Sequence, residues 1–571
     1  MGPPWLRTPV IWHSSRKPSG YDYSAMTAEQ RKMIVTPFLN WYSADWDYAR
    51  TTVYFFCVAI GLVTLTRWGS MLRPKHPTKR GIIDRAVALA SWTVTKQFRI
   101  AALGWNSPPV AAIGAISGIF VFIIALMLAM KPYYWPNHAM GHSMPIATRS
   151  GWIAIAIMPF MIAFAAKVNF IGLITRTSHE RLQVFHRWAA LVMFIPSLVH
   201  TFPFIVNEMK EGTMSYTWRT SPFYWSGVAA LVPQTLLVAG SWGFFRNSYY
   251  ETFKKFHYLA ATIFMAALFL HCNFRLSSWD YFWATLGIWG TSFLVRFGRT
   301  LLTPGAATIE ALPDRMLHVR ITVRRSFRWK PGQHVFVRFF FGSHFATSHP
   351  FTIANVCDGT GVVELALRVR DGITLALAEQ ATKGSKVRVM LDGPHGHASL
   401  ATDLRKYDRV LLLAGGSGAT FTLPLFLDLV AQPNGPRVEF VVVARTRGAF
   451  HFVDTALQNV VPSNAEVHKY ITREDVDEDD DHKKGSPSSL LAGRPPLRAV
   501  ISESCSKATR LAIVGGFQVT QPHGLAYHLA ACGPEEFAFE IREAVAEKQL
   551  QISQGESQLA QVYLHAENYS W

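Results

Sequence analysis

Cysteine is scarce in this chain of 571 residues, and its five copies, Cys57, Cys272, Cys357, Cys505 and Cys532, follow no paired spacing. An odd, scattered set argues against a disulfide framework and against a cysteine zinc site. No basic segment is interleaved with aromatics as a nucleic-acid module would be, so the formal charge of +18 points to no nucleic-acid partner. The opening MGPPWLRTPV has no apolar core of the kind a cleavable signal carries, and the first membrane span is expected to act as its own insertion signal. Internal repeats are absent except for one duplicated histidine spacing.

What the chain has is apolar sequence, unevenly spread. Half of its residues are hydrophobic, and between about 52 and 297 they form runs long enough to cross a bilayer. Seven spans are predicted: Thr52 to Trp68, Val110 to Met130, Gly151 to Ile174, Leu182 to Val206, Trp225 to Phe245, Phe253 to Phe274 and Trp279 to Phe297. Lys and Arg crowd the end of the first span and the loop after it (Arg67, Arg73, Lys75, Lys79, Arg80, Arg85, Lys96, Arg99), then recur at Arg176, Arg181, Arg246, Lys254 and Lys255. The alternate loops are poorer, with Lys131, Arg149, Lys210, Arg219 and Arg275. Positive loops stay in the cytoplasm, so the amino terminus is expected outside and the tail after Arg299 in the cytosol.

The fourth span contains FHRWAALVMFIPSLVH, with His186 and His200 fourteen residues apart; FHYLAATIFMAALFLH in the sixth repeats the spacing at His257 and His271. Fourteen residues turn through about 320° and rise about 21 Å, so each pair lies on one stripe at two depths. Spans four and six run in the same direction, and His186 can face His257 while His200 faces His271. An imidazole in hydrocarbon is costly without a partner and presumes a function. Two imidazoles converging from facing helices suit the two axial positions of a haem iron, which favours electron transfer over oxygen binding. Histidines packing for structure alone, or a zinc or copper chain, remain alternatives; each level offers two visible ligands where closed zinc takes four.

From about Thr303 the pattern becomes short alternating strands broken by turns such as Pro331-Gly332-Gln333, as in a small antiparallel barrel. After Asp408, RVLLLAGGSGATFTLPLFLDLV runs from a buried strand through a glycine turn into a helix, and VEFVVVART follows as a second buried strand, the opening of an α/β nucleotide unit. GGSGAT, Gly415 to Thr420, lets a pyrophosphate approach backbone N–H groups at a helix start, although it departs from G-x-G-x-x-G.

HPFTIA (His349 to Ala354), the turn Gly393-Pro394-His395-Gly396, GGSGAT and Cys532-Gly533-Pro534, in this order and spacing behind four histidines, resemble the ferric reductase and NADPH oxidase superfamily, with a character nearer the fungal metalloreductases. The resemblance implies a multi-pass α-helical membrane haem domain followed by a ferredoxin-reductase-like module, an antiparallel β-barrel FAD domain plus an α/β nucleotide domain. It implies two haems b, FAD and NADPH as cofactors. His349, Pro350, Phe351 and Thr352 would line the flavin, Arg368 or Arg370 would meet FAD phosphates, and Gly372 and Thr374 would open the following helix. Gly415, Gly416, Ser417, Gly418 and Thr420 would hold the NADPH pyrophosphate, with Cys532, Gly533 and Pro534 at the nicotinamide and Trp571 covering the flavin. Arg445 and Arg447 sit where a 2′-phosphate could be read.

The expected division is residues 1–51 as an exoplasmic segment, 52–109 as first span and basic cytosolic loop, 110–300 as a six-helix bis-haem domain, 301–402 as FAD barrel and 403–571 as nucleotide domain. An acidic, then Ser/Pro-rich block at 472–493 is expected to be a disordered insertion. The expected function is export of electrons from cytosolic NADPH through FAD and two haems to Fe(III) or Cu(II) chelates outside, with the plasma membrane as the expected location and His138 and His142 in PYYWPNHAMGHSMP offering metal ligands beside Met140 and Met144. Arg187 and Trp188 could meet haem propionates or the membrane interface. Two alternatives stay open: oxygen as acceptor, giving superoxide, and a membrane ion carrier or channel with a reductase-like regulatory domain. A partner permease or oxidase and the oligomeric state are not legible in the chain.

Overall fold

The computed structural model describes residues 22–39, 43–71, 81–100, 105–243, 246, 250–342, 347–384, 386–396, 399–432, 434–458, 464–473, 488–518 and 534–569. The chain divides into two compact units, Met1–Arg73 with Gly114–Leu294, and Pro74–Ile113 with Val295–Trp571. The division at 52–109 drawn from the sequence therefore differs from the observed one, because residues 74–113 cluster with the carboxy-terminal half.

Among the described residues of the whole chain, six helices are long and apolar enough to cross a membrane: Asp45–Gly69, Val110–Leu128, Pro145–Ala165, His179–Lys210, Pro222–Gly240 and Thr252–Cys272. The seventh expected span is a continuous 25-residue helix, Ser278–Leu302, which is not among those six. Pro145–Ala165 is the buried centre of the first unit, with Ile153, Ala156, Ile157 and Met158 wholly enclosed. The helices around it expose Val58, Leu62, Val121, Leu236 and Leu259, the lipid-facing complement of a bundle that is hydrophobic all round. Pro196 and Pro203 lie inside His179–Lys210 and are tolerated because neighbouring groups can take up the freed carbonyls.

Two features depart from the expected spans. Gly151 to Ile174 is not one helix, since Asn169 interrupts it. Its side-chain amide donates to the carbonyls of Ala163 and Ala166, closing one helix, while its oxygen accepts the Gly172 N–H and opens Phe170–Thr175. Arg149, counted above among loop charges, is 2% exposed within Pro145–Ala165. Its guanidinium donates to the carbonyls of Met130, Pro132 and Pro145 and to the Tyr48 hydroxyl. Those bonds replace the water that burial removes.

In the second unit six antiparallel strands are ordered His349–Thr352, His334–Phe339, Val387–His395, Pro304–Leu312, Met316–Thr322 and Val362–Arg368. Alternation turns Val319, Ile321, Val335, Val337, Phe339, Val363 and Leu365 into one core. A second sheet is parallel throughout, in the order Ser488–Ala492, Ala465–Ile471, Arg437–Ala444, Arg409–Gly415, Arg510–Gln518 and Gln561–Tyr569. Val410 to Ala414 are fully buried, as in strands covered on both faces. The order reverses beside Arg409–Gly415, the position at which such sheets bind ligands.

Two sequence expectations change here. The block 472–493 is not wholly an insertion, because Ser488–Ala492 forms the edge strand, paired in parallel with Val467 to Ile471; its acidic stretch lies outside the described residues. The loop after the first span also carries a helix, Ile82–Thr95, which packs on Pro534–Gln554 of the nucleotide fold. Arg85 donates to the carbonyls of Ser553 and Gln554, Lys96 pairs with Glu543 at 2.7 Å, and Ala88 enters the core beneath the parallel sheet.

Candidate functional site

The membrane unit brings the four histidines together in two pairs. His186 and His257 have ring centroids 6.3 Å apart with planes at 69°, and His200 and His271 are 5.9 Å apart at 81°. Two imidazoles sharing one metal through Nε2, with bonds of about 2 Å, place their centroids about 6 Å apart. The remaining ring nitrogens are positioned by backbone. Nδ1 of His186 lies 2.9 Å from the Met161 carbonyl, Nδ1 of His200 is 2.8 Å from that of Ala147, and Nδ1 of His271 is 2.9 Å from that of Phe223. A carbonyl only accepts, so each Nδ1 carries the proton and each Nε2 lone pair is left for a metal. His257 differs, its Nδ1 being buried without a hydrogen-bond partner.

Sequence reasoning missed two residues at this site. A Cβ on Gly151 would stand 2.7 Å from Nδ1 of His200, and one on Gly227 would stand 3.0 Å from Cε1 of His271. Each imidazole of this pair therefore lies against bare backbone of a neighbouring helix. A glycine in an apolar helix has no chemical signature of its own, and only the long-range contact reveals the role. Around the same pair lies a cavity of about 380 Å³, lined among others by Trp152, Met193, Phe204 and Leu268. Its lining is mainly apolar, and Arg275 reaches it with its guanidinium 4.7 Å above the Phe223 ring. Imidazole pairs, apolar walls and one cation fit a porphyrin with carboxylate side chains.

Trp188 stands edge-on to Phe120 at 6.1 Å. In the loop before Pro145–Ala165, Met140 is fully buried and packs with Met26 and Ile34, so its thioether serves a small core. His142 is exposed and lines the cavity together with Glu208. Thr213 and Thr217 donate to the Glu208 carboxylate at 2.6 and 2.7 Å. The His138 side chain lies outside the described residues. Among the described residues no group of three or more His, Cys, Asp or Glu forms a metal cluster.

In the second unit, His349, Pro350, Phe351 and Thr352 form a half-buried strand, with Nε2 of His349 3.0 Å from the Thr347 hydroxyl. Arg368 ends the strand Val362–Arg368, and Arg370 follows with Nη2 buried and unpartnered. Burial, and then the charge of Arg368, hold the Arg370 guanidinium below its ordinary pKa. At Arg445, which is exposed, partial loss of water contact, followed by the charges of Arg473 and Arg368, acts in the same direction, opposed by Asp314. Like charges gathered in this way, with one orphaned donor, are of the kind that suits anionic oxygens. Gly372 has φ +69° and precedes the helix Ile373–Lys383, while the Thr374 hydroxyl accepts the Arg370 N–H.

The glycine turn lies where the sheet order reverses. Gly416 has φ +59°, and a Cβ there would meet nothing within 4 Å, so the backbone is open to a ligand. Gly418 leads into the helix Ala419–Val430, and Thr420 donates to the Ser417 carbonyl. Arg445 and Arg447 are exposed beyond the next strand. Pro534 begins Pro534–Gln554; Cys532, Gly533 and Trp571 lie outside the described residues. His395, in the turn Gly393 to Gly396, is 3.0 Å from Asp392 Oδ1, while Arg296 donates to Asp392 Oδ2 at 2.8 Å. His334 stacks on His395 at 5.7 Å.

A helical membrane unit with paired histidines, joined to an antiparallel sheet and a parallel nucleotide sheet, defines the class: a multi-pass membrane protein with an antiparallel-sheet domain and an α/β nucleotide domain behind it. Three families match in tandem: ferric reductase like transmembrane component over residues 150–268, FAD-binding domain over 303–399 and ferric reductase NAD binding domain over 407–546. The chain belongs to the ferric reductase superfamily. It is 32% identical to a probable cell surface ferric reductase, kap2, of Aspergillus oryzae over 61% of this chain and 50% of that one. With ferric/cupric reductase transmembrane component 7 of Saccharomyces cerevisiae it shares 29% identity over 56% and 52%. With ferric reductase transmembrane component 4 of the same yeast it shares 30% over 62% and 51%. The chain thus spans about half the length of the curated relatives it matches.

Proposed function

We propose that the protein carries electrons across a membrane, from NADPH on the cytosolic side to ferric or cupric chelates on the other. The observation that carries the reading is the pair of imidazole clamps, each spaced for one iron, at two depths in one helical bundle. Bound FAD would turn a two-electron hydride into single electrons and two bound haems b would conduct them through the bilayer. The residues of the chain supply position and shelter. His186 with His257 and His200 with His271 would hold the two irons, and the carbonyls of Met161, Ala147 and Phe223 keep three of the rings in the ligating tautomer. Arg275, which lines the cavity, would pair with a propionate, and the apolar wall would exclude water.

Arg368 and Arg370 neutralise the FAD phosphates beside the flavin strand His349–Thr352, and the open turn at Gly416 receives the dinucleotide pyrophosphate. Arg445 reads a 2′-phosphate, which favours NADPH. The amino terminus lies outside, as the Lys and Arg distribution supports. Moving one electron toward a positive exterior gains about 2.3 kcal/mol per 100 mV, so the membrane potential assists this direction. The relatives named as ferric and cupric reductases support a metal chelate as acceptor, and His142 with Glu208, both lining the cavity, would meet it.

The test is absorption spectroscopy of the purified full chain. Sharp reduced bands and two haems per chain are expected; a colourless protein after cofactor-replete expression would end this reading. An NADPH-driven chelate-reduction assay with and without superoxide dismutase then identifies the acceptor. Chelate reduction abolished by the dismutase would move the acceptor from metal to oxygen.

A further inference from the structure

The helix Ile82–Thr95 has an inverted surface. Its two charged residues, Asp84 and Arg85, serve the helix itself and the nucleotide fold: Asp84 caps the Gly81 N–H, and Arg85 grips the carbonyls of Ser553 and Gln554. Ala88 and Thr95 are buried on that side. At about 100° per residue, the opposite side carries Ile82, Ile83, Ala86, Leu89, Ala90 and Val94, with Thr93 as its one polar member. No charge interrupts it. Ile82 is 86% exposed, Ile83 71% and Leu89 49%. A helix on a water-facing surface turns such a stripe inward, and an uninterrupted exposed stripe marks an interaction surface.

Continuity of the chain identifies what covers it. The helix lies between two membrane-length helices, Asp45–Gly69 and Val110–Leu128. Its end is bonded directly to the second, because the N–H of Val110 donates to the Lys96 carbonyl at 3.0 Å. The Ser107 hydroxyl accepts the Phe98 N–H at 2.8 Å, a second bond between the same two segments. The carboxy-terminal end of Ile82–Thr95 is therefore held against the first residue of a membrane-length helix.

We propose that Ile82–Thr95 is an interfacial helix whose apolar face lies in the phospholipid leaflet next to Val110, while its other face holds the nucleotide-binding fold. This geometry is that of an amphipathic helix lying in the membrane plane. It would tether the nucleotide fold to the bilayer surface independently of which acceptor the protein reduces.

The experiment places photoreactive benzoylphenylalanine at Ile82 or Leu89 of the full chain, reconstituted in vesicles of phosphatidylcholine and phosphatidylserine. Both positions are exposed, so the label displaces no packed side chain. Val121, 67% exposed on Val110–Leu128, serves as the lipid-facing control, and Arg85 as the control facing protein. After irradiation, phospholipid adducts at Ile82 and Leu89 in yields comparable to Val121 are expected, with intrachain adducts at Arg85. Adducts joining Ile82 or Leu89 to a second copy would overturn the proposal, as would no lipid adduct there while Val121 gives one.

Discussion

Replacing Gly151 with alanine tests the cradle of one histidine pair most sharply. The new Cβ would stand 2.7 Å from Nδ1 of His200, where ordinary contact begins at 3.4 Å, so ring or helix must yield by about 0.7 Å. A metal–nitrogen bond tolerates displacement of only about 0.2 Å. The same movement strains the bond from Nδ1 to the Ala147 carbonyl, costing about 0.5–1.5 kcal/mol if it breaks. Gly227→Ala is milder, its nearest approach being 3.0 Å to His271. Gly118→Ala, with nothing within 4 Å, is the control. In difference spectra and redox titrations of the purified protein, Gly151→Ala should remove or shift the centre at His200–His271 and leave the centre at His186–His257 untouched. Gly227→Ala should shift the same centre less, and Gly118→Ala not at all. Two unchanged centres in Gly151→Ala would refute the cradle.

The remaining predictions concern the second unit. Gly416→Val puts a β-branched residue at φ +59°, which is strained by about 1–3 kcal/mol, and closes the open side of the turn; titration should show NADPH binding weakened with both haem bands retained, and an unchanged affinity would contradict the phosphate role. Arg370→Ala removes a buried donor with no protein partner. If that donor meets FAD phosphate, the loss of a charged hydrogen bond, about 1.5–3 kcal/mol, weakens FAD retention about 10- to 150-fold, measured by flavin release on dilution; full retention counts against the assignment. Asp392 supplies a pH test. Burial raises its carboxyl, but His395 and then Arg296 outweigh burial and hold it below 3.8. A depressed folded pKa stabilises above the unfolded value and that stability is lost as pH falls through the folded value. Thermal unfolding followed by flavin fluorescence should therefore steepen below about pH 4, and Asp392→Asn should flatten that dependence; identical slopes would exclude the Arg296–Asp392–His395 contacts as its source.

Local sequence determines much of this protein, because lipid and sheet impose short-range periods that survive without knowledge of neighbours. Apolar runs of membrane length marked the helices, fourteen-residue spacing placed two histidines on one stripe, and alternation marked the strands of the antiparallel sheet. The turn Gly415 to Gly418 was legible because a strand, a glycine bend and a helix follow one another directly. Long-range neighbours were decided only by tertiary structure. Gly151 and Gly227 acquire their role from imidazoles on other helices, and Arg149 is a buried lock because Met130 and Pro132 present carbonyls to it. Asn169 ends one helix and begins another through bonds that an averaged hydropathy cannot register. The segment after the first span read as a basic loop since its charges dominate composition; folding turns Arg85 onto the nucleotide fold and leaves its isoleucines outward. Periodicity specifies what kind of surface each element has, and packing specifies which surfaces meet.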